Sequence, residues 1–335
     1  MLLVIGDSNA DGTAHTPFFP RIGDDVFLQD FAWTSGGAGV NVATAAARLG
    51  GTARLLSRTG TDATAEVALA AAARSGVDLR FVQRDPESTT GVCIVLVSPG
   101  GERTFLSHRG ANHLLTAPGE AVWDGVRRLH VCGHALLRNP QRATALSLVN
   151  EAGARGIPAT LDLCLPVLRK YGTDLYKQFP DFEQVLMNEP ELDLLAFGNN
   201  PFRPPKEDLT LEAGLQRIME GVRETRSELG HSKPTPTLVV KLGARGSVVA
   251  RPLEAKKGPL FALEAVSPFA VTAVDSTGAG DAFVAAFLLA EEAGEDLGAC
   301  ARFANAAGAL QSSRKGSADV LPTRPEIESF LAARR

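Results

Sequence analysis

The chain has 335 residues, 44% apolar and 21% charged, the balance of a folded globular protein rather than a disordered or fibrous one. Its net charge of −4, with acids and bases interleaved, gives no bulk attraction for nucleic acid or an anionic membrane. Its four cysteines, Cys93, Cys132, Cys164 and Cys300, are far apart and form no CxxC or Cys/His cluster, which argues against a zinc site and for reduced thiols in a cytoplasmic protein.

The N-terminal "LLVI" (2–5) reads as a short buried strand, and its apolar run ends too soon, at Gly6-Asp7, for a secretory signal. No stretch reaches the ~18 consecutive apolar residues of a membrane span. Residues 11–34 are rich in Gly, Pro, Phe and Asp and lack helical periodicity. "SGGAGVN" (35–41) opens an Ala-rich helix that stops at Gly50-Gly51, and a second helix is expected over about 62–75 with Asp62 as its N-cap. Residues 91–97 and 103–108 read as two strands joined by "SPGG", a hairpin that pairs with 11–34 in a small β layer.

From about residue 121 strand and helix alternate. Strands are expected near 128–132, 157–163, 184–187, 237–241 and 246–250, with helices at 139–155 and 209–229. This pattern predicts an α/β fold: a doubly wound, mostly parallel sheet with helices on both faces, plus the small β-sheet. The whole chain, 1–335, then forms a single domain whose lid subdomain comprises about 11–34 and 90–112. Residues 198–208 and 230–236 read as surface loops. Ligands of such sheets bind at the carboxyl ends of the strands, where "GDSNAD", "LDLC", "MNEPE" and "KLGARG" all fall.

The most informative stretch is "DSTGAGDAF" (275–283). Its glycines leave backbone N–H groups accessible at the start of an apolar helix, an arrangement that binds anions. A tight turn would explain Gly278 and Gly280 but not Asp281, although an acid in a first helical turn is itself common. No GxGxxG is completed and no GxxxxGK[ST] occurs, so dinucleotide and Walker-type phosphate loops are excluded.

"DSTGAGDAF" resembles the C-terminal signature, DTxGAGD, of the ribokinase-like (PfkB) carbohydrate kinases. "GGAGVNVATAAARLG" (36–50) resembles that family's N-terminal GGxxxN signature, "NEPE" (188–191) its N-x-x-E motif and "GDSNAD" (6–11) its first sugar-contact strand end, all in the family's order. "RFANAAGALQSSRKGS" (302–317) looks like its nucleotide-proximal helix and loop.

The resemblance implies an ATP-dependent phosphotransferase acting on a hydroxyl of a small carbohydrate such as ribose, fructose or 2-keto-3-deoxygluconate. It implies Asp281 as catalytic base, with the backbone of Gly278, Ala279 and Gly280 as an anion hole. It implies Asn9, Asp11, Gly37, Asn41 and Arg109 as sugar contacts, and Asn188, Lys241, Gly243 and Asn305 as ATP contacts. Mg²⁺ would be organised by Asn188 and Glu191 through water, and a monovalent cation such as K⁺ by Asp275, Thr277 and carbonyls near 312–317. Asp162 falls where the family often has an acid near the phosphates, and His108 and Asn112 join Arg109 as candidate lid residues. The implied partners are sugar and ATP, with no nucleic acid or membrane, and a homodimer through the lid.

The ribokinase subgroup's lysine in GGKGAN is Ala38 here, so ribose is not singled out. A nucleoside kinase, a sugar-phosphate kinase using Arg103, His108 and Arg109, and a non-catalytic sensor remain open.

Overall fold

The computed structural model describes residues 1–198, 210–230, 233–253 and 259–334. In β1 (Leu2–Ile5), Leu2 and Val4 join one core cluster and Leu3 and Ile5 the other. A strand with two apolar faces needs helices on both sides, and this alternation sets the architecture.

There follow β2 (Asn9–His15), β3 (Asp30–Gly36), α1 (Ala38–Arg48), β4 (Ala53–Leu56), β5 (Arg58–Gly60), α2 (Ala63–Arg74), β6 (Gln83–Asp85), β7 (Gly91–Val97) and β8 (Arg103–His108). The rest of the chain comprises β9 (Arg128–Cys132), α3 (Gln141–Ala154), β10 (Ala159–Asp162), α4 (Leu165–Tyr171), β11 (Gln184–Asn188), α5 (Glu189–Phe197), α6 (Leu211–Glu228), β12 (Thr237–Lys241), β13 (Ser247–Pro252), β14 (Phe261–Val266), α7 (Ala279–Glu292), α8 (Leu297–Ser312) and α9 (Arg324–Ala332).

Among the described residues the large sheet has eight strands in the order β14-β13-β12-β11-β10-β9-β1-β4. From β4 to β12 all neighbours are parallel, and β13 and β14 complete one edge antiparallel. Helices α3 to α6 cover one face and α1, α2 and α7 to α9 the other. A separate four-stranded sheet, in the order β3-β2-β7-β8, stands beside the large one. Among the described residues no helix is long and apolar enough to cross a membrane.

Two strands of the large sheet lack a sequence signal. β4 carries Arg54, a charge only 1% exposed, whose guanidinium is bonded to Asp78 and to the carbonyl of Val122. In β14 a glutamate interrupts the apolar residues, as suits an edge strand. Asp62 stands at the N-cap of α2, but its carboxylate accepts from Thr90 N–H (2.7 Å) rather than capping the helix. The expected helix at 209–229 is α6, capped by Thr210. The expected loop at 198–208 lies, apart from Gly198, outside the described residues, as do positions 231–232 of the loop at 230–236.

Candidate active site

Parallel strands deliver their last residues to one edge. Asp162 ends β10, Asn188 ends β11 and Lys241 ends β12, with Asn188 and Lys241 in register. The N-termini of α1 and α7 face this edge. α7 is buried continuously from Ala282 to Ala290, and its Phe283 and Phe287 rings stack at 6.1 Å, so its first turn is anchored in the core.

Gly278 caps α7 in the left-handed region (φ 75°), with no side chain closing the helix end. Ala279 N–H donates to Ser276 O at 3.2 Å, whereas among the described residues the amides of Gly278, Gly280 and Asp281 have no acceptor. Of the three amides expected to form the anion hole, that of Ala279 is thus shared with its own turn. Gly280 is instructive because nothing in the protein demands it. A Cβ there would meet only Lys241 Nζ, at 3.6 Å, and would otherwise enter the open cleft.

Asp281, in the first turn of α7, accepts from Asn41 Nδ2 at 2.7 Å. Asn41 lies inside the first turns of α1 and does not cap it. Burial raises the Asp281 carboxyl to about 6, against the Asn41 hydrogen bond that favours its ionised form. Asp11 is raised further, to about 7, by burial and then by the charge of Asp281. Asp11 Oδ1 and Asn41 Oδ1 are buried without partners, two acceptors awaiting donors. A Cβ on Gly36 would fall 1.9 Å from Asp11 Oδ2, so only glycine lets β3 pass this carboxylate. Gly37, at φ 86°, starts α1 beside it.

Asn9 and Arg109, expected as sugar contacts, are also bonded to other protein groups. Asn9 Oδ1 accepts from Asn112 Nδ2 (2.9 Å), and Asn112, fully buried, also bonds the backbone of Ser8 and Arg109. Asn112 thus braces Asn9 against the backbone of Ser8 and Arg109. Arg109 grips Asp7 with Nε at 2.9 Å and Nη2 at 2.6 Å, and Nη2 also meets Gln141 Oε1. Burial would raise Asp7, but the Arg109 guanidinium holds it below the usual carboxylate range. Arg109 Nη1 is left buried and unpartnered. His108 is exposed, within 3.4 Å of Thr89 Oγ1.

A cleft of about 620 Å³ opens on the other side of Gly280. Lys241, Gly243, Phe269, Val271, Phe283 and Asn305 are among its walls. Asn305 spends its amide nitrogen on the carbonyls of Val266 and Ser267, fixing the wall. Lys241 Nζ meets Asp162 Oδ1 at 2.6 Å, and these neighbours keep the lysine charged against its burial. Asn188 and Glu191 form a capping box on α5, with Asn188 Oδ1 taking Glu191 N–H and Glu191 Oε2 taking Asn188 N–H. Burial raises Glu191 to about 7, opposed by Lys241. Among the described residues no three His, Cys, Asp or Glu side chains converge on a metal position.

Asp275 pairs with Arg103 Nη1 at 2.5 Å, and the same nitrogen donates to Thr277 Oγ1 at 2.8 Å. A smaller cavity, about 220 Å³, lies between the small sheet and this turn, with Asp11, Thr34, Arg103 and Lys315 on its walls. Sequence reasoning did not anticipate the part of Gln141, which carries no motif, nor that of Gln311, which lies in the 302–317 stretch without being singled out.

An acid at the mouth of an anchored helix, free amides beside it, a lysine and a large cleft form a phosphoryl-transfer geometry, and the whole chain can be placed accordingly. Residues 1–324 match the family described as pfkB family carbohydrate kinase. The chain belongs to that family. It is a sugar kinase. It is 27% identical to the ribokinase of Haemophilus influenzae over 98% of both chains. It is 28% identical to the fructokinase of Vibrio alginolyticus over 88% of this chain and 91% of that one. Among solved structures, the kinase superposes on the Arabidopsis thaliana ribokinase bound to ribose and ATP with a TM-score of 0.75, at 25% identity and 98% coverage of each.

Proposed function

We propose that this kinase transfers the γ-phosphoryl group of ATP to a hydroxyl of a small unphosphorylated sugar, with ribose and fructose as first candidates and Asp281 as base. The observation that carries the reading is the position of Asp281, between unpartnered Gly280 and Asp281 amides and the unpartnered acceptors of Asp11 and Asn41. Hydroxyls are donors, so a polyol satisfies those acceptors, and Asp281 then accepts the proton of the hydroxyl that attacks.

Bound ATP supplies the phosphoryl group, and Mg²⁺ neutralises charge between its phosphates. The chain's own part is to hold and polarise. The free amides at the start of α7 receive the oxygens of the transferring group, and Lys241 adds a fixed positive charge beside Gly280. The cleft wall from Gly243 to Asn305 accommodates the nucleoside. Glu191 and Asn188, whose cap leaves the second Glu191 oxygen uncommitted, would order water around the cation.

An unphosphorylated sugar is favoured because the lid arginines Arg103 and Arg109 are already ion-paired. Arg103 is paired with Asp275 and Arg109 with Asp7. Of Arg103, His108 and Arg109, a sugar phosphate would find only Arg109 Nη1 and the exposed His108 uncommitted. A coupled ADP-release assay tests the proposal across ribose, fructose, 2-keto-3-deoxygluconate, fructose phosphates and nucleosides. Turnover confined to phosphorylated sugars or nucleosides would overturn it.

We also infer pairing through the small sheet. Phe31 and Trp33 on β3 and Leu106 on β8 are between 42% and 55% exposed and share one face of the sheet by its register, an apolar surface that a second copy would cover. Light scattering of the wild type and of Leu106→Glu decides this: a dimer and a monomer respectively are expected, and a monomeric wild type refutes it.

A further inference from the structure

The residues that would hold a monovalent cation beneath the anion-binding turn do not fit one. Asp275 Oδ1 accepts from Thr277 N–H (2.7 Å) and from Arg103 Nη1 (2.5 Å), and its Oδ2 accepts from Gly316 N–H (3.0 Å). The carbonyls of Thr277 and Gly316 both accept from a single amide nitrogen, Gln311 Nε2, at 2.9 and 2.8 Å. Ser312 O already takes Val274 N–H and Asp275 N–H. Each of these acceptors already takes at least one protein donor, and Asp275 Oδ1 and Ser312 O take two; the buried oxygen of the group without a partner is Gln311 Oε1.

We propose that Arg103 and Gln311 are built-in donors occupying the place of a monovalent cation, so that this kinase needs none, and that Arg103 is a positioning residue tying the small sheet to the anion-binding turn.

Two observations make the replacement stable. Gln311 is fully buried and uses both amide hydrogens across the two carbonyls, so an entering ion must displace it with no solvent to receive it. The guanidinium of Arg103 is permanently charged, and a second cation against Asp275 would meet it at close range. The charge that a mobile ion would bring is thus delivered covalently, from β8.

The delivery has a mechanical consequence. Arg103 begins β8, and its Nη1 touches both Asp275 and Thr277, the residue before Gly278. A displacement of the small sheet over the sugar moves this contact and so the turn whose amides face the phosphoryl group. The coupling to catalysis rests on the assignment of that turn as anion hole, but the cation statement does not.

The experiment compares KCl with tetramethylammonium chloride at equal ionic strength, reading melting temperature and kcat. Wild type is expected to show the same melting temperature and the same kcat in both salts. A kcat several-fold higher in K⁺, or a melting temperature raised only by K⁺, overturns the proposal. The melting arm works even if no tested sugar is a substrate, so failure of the functional reading is separable. Arg103→Ala should lose about 10- to 100-fold in kcat, the scale of one charge-assisted hydrogen bond, with KM for sugar nearly unchanged. Low, non-denaturing guanidinium should restore part of that loss, and Arg103→Lys should retain more activity than the alanine variant. A folded Arg103→Ala with unaltered kcat, or no rescue by either guanidinium or lysine, refutes the positioning role.

Discussion

Asn41 and Asp281, 240 residues apart in sequence, meet side chain to side chain at 2.7 Å. The contact joins the first turns of α1 and α7 and fixes one carboxylate oxygen, leaving the other for an incoming hydroxyl. Asp281→Asn keeps the shape and removes the basicity. Turnover should fall by about 10²- to 10⁴-fold, the usual contribution of a positioned base. ATP affinity, measured by calorimetry, should stay within a few-fold. A variant retaining near wild-type turnover would eliminate Asp281 as the base.

The acidity of Asp281 predicts the pH profile. Its carboxyl, raised to about 6 by burial, must be ionised to accept a proton, so kcat/KM should decline as pH falls through about 6. The Asn41 hydrogen bond favours the ionised form. In Asn41→Ala the acid limb should therefore move to higher pH, whatever the loss in sugar affinity. Profiles of log kcat/KM for both proteins at saturating ATP decide it, and an unmoved or lowered limb counts against the assignment.

Asp11 is predicted to trade stability for binding. Its folded value of about 7 lies above the ordinary 3.8, because burial and Asp281 disfavour its charge. Between those values the unfolded chain has released a proton that the folded chain keeps. The stabilising contribution is therefore full below about 3.8 and is lost as pH rises through about 7. Above that range the native state carries an unpaired buried charge. Asp11→Asn should accordingly raise the melting temperature at pH ~8 more than at pH ~5, while weakening sugar binding. Equal changes at both pH values would show that Asp11 is not the titrating group.

Apart from β4 and β14, the large sheet was legible because its strands are short, mostly apolar runs between turn residues. The DSTGAGD and GGxxxN stretches were legible because chemistry there constrains consecutive residues. Pairings between distant elements left no such trace. Nothing in "GGERTF" announces that Arg103 reaches Asp275, and nothing near Gln311 marks it as a bridge between two carbonyls. Arg109 is a similar case. The resemblance implies a sugar contact for it, and nothing in the sequence shows that its guanidinium also holds Asp7, next to β1, and Gln141, at the start of α3. For Glu191 a helix-capping role and a role near magnesium are compatible, since the capping box commits one oxygen.

Gly280 offers a test of whether a glycine serves the fold or a ligand. Its φ lies outside the left-handed region, and a methyl group there would touch Lys241 Nζ at an ordinary 3.6 Å. Gly280→Ala should therefore fold normally, and alanine in a first helical turn should leave the melting temperature unchanged or slightly raised. The added methyl projects into the space assigned to the transferring phosphoryl group, and a displacement of about 1 Å there costs on the order of 10²-fold in rate. Steady-state kinetics with ATP as the varied substrate, alongside thermal melts, provide the test. The expected pair is an intact melt with kcat/KM for ATP reduced on that scale. A destabilised protein would make Gly280 a structural requirement, and unchanged kinetics in a folded variant would place the phosphoryl group elsewhere.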